Sequence, residues 1–279
     1  MRYEIQPRSV TSLVTAPVEH GGLGFHSQWD ADFVHPVRHA LETPWDADRD
    51  VAAVARAVTG HYLRAAHERV VFTESHDEVA NGRARVPETI NPGAADSWPS
   101  RKRAALGLAL TLTSAGMPLL FQGQEFCEDG WFDDRRPLRW DKAQRHSGFL
   151  HLASQLIGLR RNLNGTTAGL RGAHTALLRV DSERKLLVYH RWWRGGAGDD
   201  VVVAVNLSAH VVGDYRVGLP RPGVWRLRCN TDAPIFGHDF GCVHAGDLHA
   251  EHEPWDQQSS SAAFTIAPYS ALVYSQDAA

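Results

Sequence analysis

The stretch "VVFTESHDEVANGR", residues 70–83, follows three apolar residues with Glu74, His76, Asp77 and Glu78 in a short loop containing glycine. The run Val70-Val71-Phe72 suits a strand covered on both faces, whereas the four ionisable groups after it would be costly to bury without partners. Carboxylates and an imidazole at a strand end can stabilise a developing positive charge or move a proton. Two other stretches have the same character: "GGLGFHSQWDADF" at 21–33 and "LLFQGQEFCEDGWF" at 119–132. These give Trp29, Gln122, Gln124 and Glu125 as further candidates for contact with a polar ligand.

The elements that position these residues follow from periodicity. Up to about Leu163 short apolar runs alternate with longer helical patterns, which predicts strand-then-helix units and a parallel sheet. The first unit is a strand over Gly24–Trp29, followed by the segment Ala31–Ala40 and then a helix near Asp50–Ala66, capped by Asp48 or Asp50. The second is the 70–72 strand and the helix "SRKRAALGLALTLTSAG", with Ser97 or Ser100 as N-cap and Gly116 as its stop. The third is a strand over Met117–Phe121 and the amphipathic helix "HSGFLHLASQLIGLRRNL", with Arg160 and Arg161 complementing its dipole. Beyond Gly165 the period becomes two, in "KLLVYHRWW", "VVVAVNLS", "DYRVGLP", "GVWRLRCN", "AAFTIAP" and "SALVYS", which predicts an antiparallel sandwich. The boundary falls within 162–172, dividing the chain into 1–163 and 164–279, and Ser259–Ser261 reads as a flexible surface turn.

The three strand-end motifs together resemble the α-amylase superfamily, glycoside hydrolase family thirteen, and within it most closely the 1,4-α-glucan branching enzymes. "SHDEV" and "FQGQEF", in that order and separated by a helix, carry the match, and the segment from Val201 to Gly237 resembles the all-β C-terminal domain of the same enzymes. The resemblance implies strands six to eight of a (β/α)8 (TIM) barrel, with the site at the C-terminal strand ends, followed by a β-sandwich. It makes Asp77 the catalytic carboxylate that bonds sugar hydroxyls and steadies an oxocarbenium-like transition state, with His76 donating to the same sugar. Gln122, Glu125 and Trp29 are the implied substrate-binding residues.

Retaining transfer also needs a nucleophilic carboxylate and a protonated carboxyl about 5–5.5 Å apart. In the family these end the fourth and fifth strands, and no matching Arg-x-Asp stretch precedes Gly21; Glu4, in "MRYEIQPRS", reads as an ordinary terminal carboxylate. The expectation is therefore a truncated branching enzyme of glycogen biosynthesis, inactive alone, with a missing N-terminal barrel segment as partner and an α-1,4-glucan or maltooligosaccharide as ligand. The alternatives are a malto-oligosaccharide hydrolase, such as a malto-oligosyltrehalose trehalohydrolase, and a non-catalytic glucan-binding protein.

Several features read more plainly as structure. Glu74 and Glu78 pair with Arg83 or Arg85 as solvated charges, Trp29 and Trp131 are more often core than platform, and one of Gln122, Gln124 and Glu125 caps its loop. Gly21-Gly22-Leu23-Gly24 is a turn, because a strand rather than a helix follows it. His244, His249 and His252 lack the spacing of a zinc pair and are loop residues, so neither metal nor cofactor is expected. Cys127, Cys229 and Cys242 are structural thiols of a reducing cytoplasm. With 29 basic and 32 acidic residues, a formal charge of -3 and no apolar stretch of membrane length, neither nucleic acid nor membrane is an expected partner.

Overall fold

The computed structural model describes residues 13–60 and 66–278. The proposed reading of Glu4 lies outside them.

Three short parallel strands, β1 (Gln28–Trp29), β2 (Arg69–Val71) and β3 (Met117–Pro118), pair in chain order. β1 and β3 are shorter than the sequence predicts, because pairing stops where the chain turns into the site loops, and β2 keeps its three residues but starts one earlier. Asp30 ends β1 and starts helix α1 (Ala31–Glu42), its side chain accepting from the Asp32 amide. It also faces Arg69 of β2 at 2.6 Å with both side chains buried. Helix α2 (Val51–Thr59) is capped by Asp50 rather than Asp48, through the Ala53 amide at 2.9 Å.

The short α3 (Val86–Ile90) leads to α4 (Trp98–Thr113), which starts after Ser97, has Ser114 as C-cap, and is buried nearly all round. Gly116 follows the cap with φ 130°. After β3 and a long loop come α5 (Asp141–Arg145) and α6 (Ser147–Arg160). Arg160 corrects its part of the helix-dipole reading: it bonds the carbonyls of Leu112, Ser114 and Gly116 at the end of α4 instead of its own helix.

The second half is antiparallel throughout. One six-stranded sheet has the order β4 (His174–Asp181), β5 (Leu186–Trp192), β6 (Val201–Asn206), β11 (Ser270–Ser275), β8 (Gly223–Asn230), β9 (Leu248–Ala250); β7 (Val212–Leu219) and β10 (Ser260–Ile266) form a second. The predicted strands are all present, and β4 and β9 are additional. Ser259–Ser261 is not a flexible surface turn: Ser260 and Ser261 belong to β10, pair with Leu219 and Gly218, and are buried. Small hydroxyl residues read as turn in sequence, but here the facing strand satisfies their backbone.

Period-two alternation explains the layering. Val202 and Ala204 of β6 face the two-stranded sheet with Leu186, Val217, Phe264 and Leu272, while Val201, Val203 and Val205 face the helices with Tyr189, Ala109 and Leu152. The six-stranded sheet is thus a central layer, buried on both sides. Polar pairs stitch it to the helices: Lys102 of α4 meets Asp232 at 2.5 Å, both fully buried, and the Tyr189 and Thr113 hydroxyls are 2.5 Å apart.

Candidate functional site

β2 delivers the "TESHDEVANG" loop, and four side chains fix its course. Arg38 of α1 donates to the carbonyls of Thr73 and Ala84, each at 3.0 Å, and Gln124 donates to the Thr73 hydroxyl at 2.6 Å. Glu74 is buried; one oxygen accepts from the Val86 amide at 2.8 Å and the other from Arg85 at 3.2 Å. Burial raises its carboxyl above the usual range, against the pull of Arg85. Glu74 is thus an internal strut rather than a solvated charge, whereas Glu78 does pair with an exposed Arg83 at 3.1 Å.

With its base held, the loop presents His76 and Asp77 outward. Their side chains are 57% and 68% exposed, with His76 Nε2 3.3 Å from the Asp77 carboxylate. The Trp29 ring from β1 meets His76 edge-on at 5.5 Å and Phe72 at 5.2 Å. Trp29 is 40% exposed, so the core reading is corrected: the indole is packed on one side and open on the other. Asn81 and Gly82 both take positive φ, closing the loop in a turn.

The loop after β3 runs alongside. Gly123 has φ 85°, and a Cβ there would approach the Glu128 Cβ to 2.8 Å, so the glycine of "FQGQEF" lets the chain fold back on itself. Gln124 is the capping residue, accepting from the Phe121 amide at 3.2 Å. Backbone bonds from Arg85 to Gly130 (2.8 Å) and from Phe132 to Val79 (2.7 Å) join the two loops. Between them lies a depression of about 190 Å³ lined by Arg85, Gln122, Trp131, Phe132 and Arg136 among others.

Trp131 is 57% exposed, with the Arg136 guanidinium 5.2 Å from its ring, so here too the core reading is corrected. Only the density of Asp, Arg and Trp in this loop could have signalled it. Gln122 is exposed on the same wall, Glu125 is half-buried in the turn Gln124–Phe126, and Asp77 does not line this depression.

The far end of this loop is held by ions. Asp96 accepts from Lys142 at 2.7 Å, His146 at 2.9 Å and Arg145 at 3.0 Å, and buried Lys142 also reaches Asp129 at 2.8 Å. Burial alone would raise the Asp96 carboxyl, but the bonds from Lys142 and His146 outweigh it and hold it far below the usual range. A depressed folded-state pKa contributes stability above the unfolded value and loses it as pH falls through the folded one. The thermal midpoint of Asp96→Asn should therefore lie below that of the wild type at neutral pH. The gap should shrink as the buffer is taken below pH ~4, the ordinary carboxylate range, and a gap independent of pH would refute the assignment.

Among the described residues no group of three His, Cys, Asp or Glu is placed to hold a metal ion, and no helix is long and apolar enough to cross a membrane. His249 lies on β9 with its side chain exposed, rather than in a loop. All three cysteines are free. Burial pushes Cys127 up to about 12, which keeps its thiol inert, while Cys242 is exposed and so does not fit the structural reading.

Residues 179–277 match the family described as the α-amylase C-terminal all-β domain. The chain is 31% identical over 268 residues to the 1,4-α-glucan branching enzyme GlgB of Leifsonia xyli, covering 93% of this chain and 35% of that protein. It is 30% identical over 275 residues to the enzyme of the same name from Mycobacterium tuberculosis, covering 94% of this chain and 35% of that protein.

Among solved structures, the fold is similar to a pullulanase from Anoxybacillus sp. LM18-11 complexed with maltotetraose (TM-score 0.63, 17% identity, 90% of this chain and 35% of that one). It is similar also to pullulanase type I of Bacillus subtilis complexed with maltose (TM-score 0.62, 17% identity, 90% of this chain and 35% of that one). The chain spans about a third of the length of these relatives. By sequence, residues 179–277 belong to the α-amylase C-terminal all-β domain family, and nearly the whole chain is similar to part of the 1,4-α-glucan branching enzymes.

Proposed function

We propose that this chain is the C-terminal part of an α-glucan branching enzyme, in which Asp77 stabilises the sugar cation and His76 and Trp29 position the ring. The observation that carries this reading is the "SHD" loop at the end of β2, with His76 and Asp77 open to solvent and the Trp29 ring against His76. A carboxylate so placed can face an oxocarbenium-like centre, and bonds from His76 to a ring hydroxyl strengthen as the ring flattens. The nucleophilic Asp and the acid Glu of the family belong to a segment matching the remaining length of the relatives.

On this reading 1–163 is the last arc of a (β/α)8 barrel and 164–279 a separate sandwich domain. Parallel strands in chain order with helices between them support the arc. So do β1 and β3, each paired on one side among the described residues, with Trp29 and Met117 40% and 41% exposed on them. The ligand is an α-1,4-glucan, in keeping with relatives complexed with maltose and maltotetraose. Gln122 and Trp131 offer it a hydrogen-bonding group and a ring face, with Glu125 behind them. Three free cysteines support a reducing, cytoplasmic setting.

Calorimetric titration of the chain with maltoheptaose tests the ligand assignment. Trp131→Ala and Trp29→Ala should each weaken binding about three- to tenfold, the loss of one ring contact. Absence of binding, or affinity unchanged in both variants, would remove these residues from the site.

A further inference from the structure

Away from Asp77 the molecule concentrates positive charge with little to offset it. Arg160 at the end of α6 and Arg191 on β5 converge on the C-terminal end of α4. Arg160 bonds the carbonyls of Leu112, Ser114 and Gly116, and Arg191 those of Thr113 at 2.6 Å and Gly172 at 2.5 Å. Among the described residues neither guanidinium has a carboxylate within ion-pair distance; every partner of each is a main-chain oxygen. A helix C-terminus supplies about half a negative charge, so roughly one and a half positive charges remain in a poorly solvated region. Burial, and after it the neighbouring Arg160, push Arg191 down to about 9.

Arg160 also lines an open cavity of about 320 Å³ beside Gly116, Met117 and Pro118, whose other basic lining residues are His67 and Arg171. Among the described residues no carboxylate lines it. Arg171 is exposed and lies 5.8 Å from the ring of Trp193, itself 46% exposed.

We propose that this cavity is an anion site for a phosphate-bearing small molecule, held by Arg171, His67 and Arg160. Two guanidinium groups and an imidazole, from three separate elements, suit a phosphate, which offers three acceptor oxygens, better than a carboxylate, which one guanidinium fork already satisfies. Trp193, outside the cavity lining, has Arg171 at 5.8 Å and Arg194 at 5.1 Å from its ring and so packs against the Arg171 guanidinium at the cavity's edge. The whole chain carries a formal charge of -3, so attraction of an anion here is a local property rather than one of net charge.

Calorimetry on the intact chain at low ionic strength, with inorganic phosphate and glucose 6-phosphate as probes, tests this. Both should bind, Arg171→Ala should weaken them about tenfold, the loss of one charge-assisted contact, and Arg171→Glu should abolish binding. Neither variant should change the affinity for maltoheptaose, so the outcome is separable from the glucan reading. Tighter binding of the ester assigns the natural ligand to phosphorylated sugars and equal binding to inorganic phosphate, and both support the site. Binding unchanged in Arg171→Glu, or no phosphate-dependent heat and no rise in thermal midpoint at millimolar probe, would overturn it.

Discussion

Asp77→Asn should lower the turnover of amylose on the order of 10²–10³-fold, the range found when one preorganised electrostatic contact to a developing charge is removed. The relevant protein is this chain following the N-terminal two thirds of a branching enzyme such as that of Leifsonia xyli, where the family's nucleophile and acid are supplied. The asparagine keeps the size and shape of the side chain while removing its charge and turning one acceptor oxygen into a donor. The Michaelis constant should therefore change little, because the loss falls on the transition state rather than on ground-state binding. His76→Ala should cost less, since it removes one hydrogen bond to a sugar hydroxyl, and Glu78→Gln should leave turnover unchanged because Glu78 is occupied with Arg83. Equal turnover in Asp77→Asn and the parent, measured by loss of iodine colour, would show that the carboxylate is a bystander.

The largest effect on stability should come from the pair that ties α4 to the sandwich. Asp232→Ala should cost about 3–5 kcal/mol in urea unfolding, because it leaves the Lys102 ammonium buried without its carboxylate. That is a large fraction of the roughly 5–15 kcal/mol that holds a domain folded. Burial lowers the Lys102 pKa, in keeping with a site that tolerates the charge only while Asp232 is 2.5 Å away. Asp232 also accepts from the Cys242 amide at 3.0 Å, so the double change Lys102→Met/Asp232→Leu still orphans one backbone donor. It should nevertheless be less destabilising than Asp232→Ala alone. A double variant as unstable as the single would place the cost in the lost Cys242 bond rather than in the stranded charge.

Where backbone pairing follows side-chain alternation, the fold was legible in the sequence. Val201–Asn206 and Ser270–Ser275 read as strands because their apolar residues must fill two layers, and both are buried along their length. That an Asp caps α2 could be seen from the Ala- and Val-rich run after Asp48 and Asp50, though not which of the two. Ser260 and Ser261 could not, since their burial depends on β7, a partner some forty residues earlier.

The candidate site was drawn from residue types, and its geometry was not legible in them. Glu74 and Glu78 are the same residue four positions apart, yet one is an internal strut and the other a surface partner, a difference set by the Val86 amide and Arg85 rather than by local sequence. The exposure of Trp29 and Trp131 was equally hidden, because an indole at a strand end is usually covered and here the loops leave one face of each open. Arg160 had the right position to complement its own helix. What captured it was the row of unpaired carbonyls at the end of α4.

The most direct measurement counts linkages. Amylose incubated with the joined protein should gain α-1,6 linkages, seen by proton NMR, without a matching rise in reducing ends, and the Asp77→Asn form should produce neither. Reducing ends rising with no new α-1,6 linkage would mean that water rather than sugar accepts the glucan, contradicting branching. Undiminished linkage formation by Asp77→Asn would contradict the role given to that carboxylate.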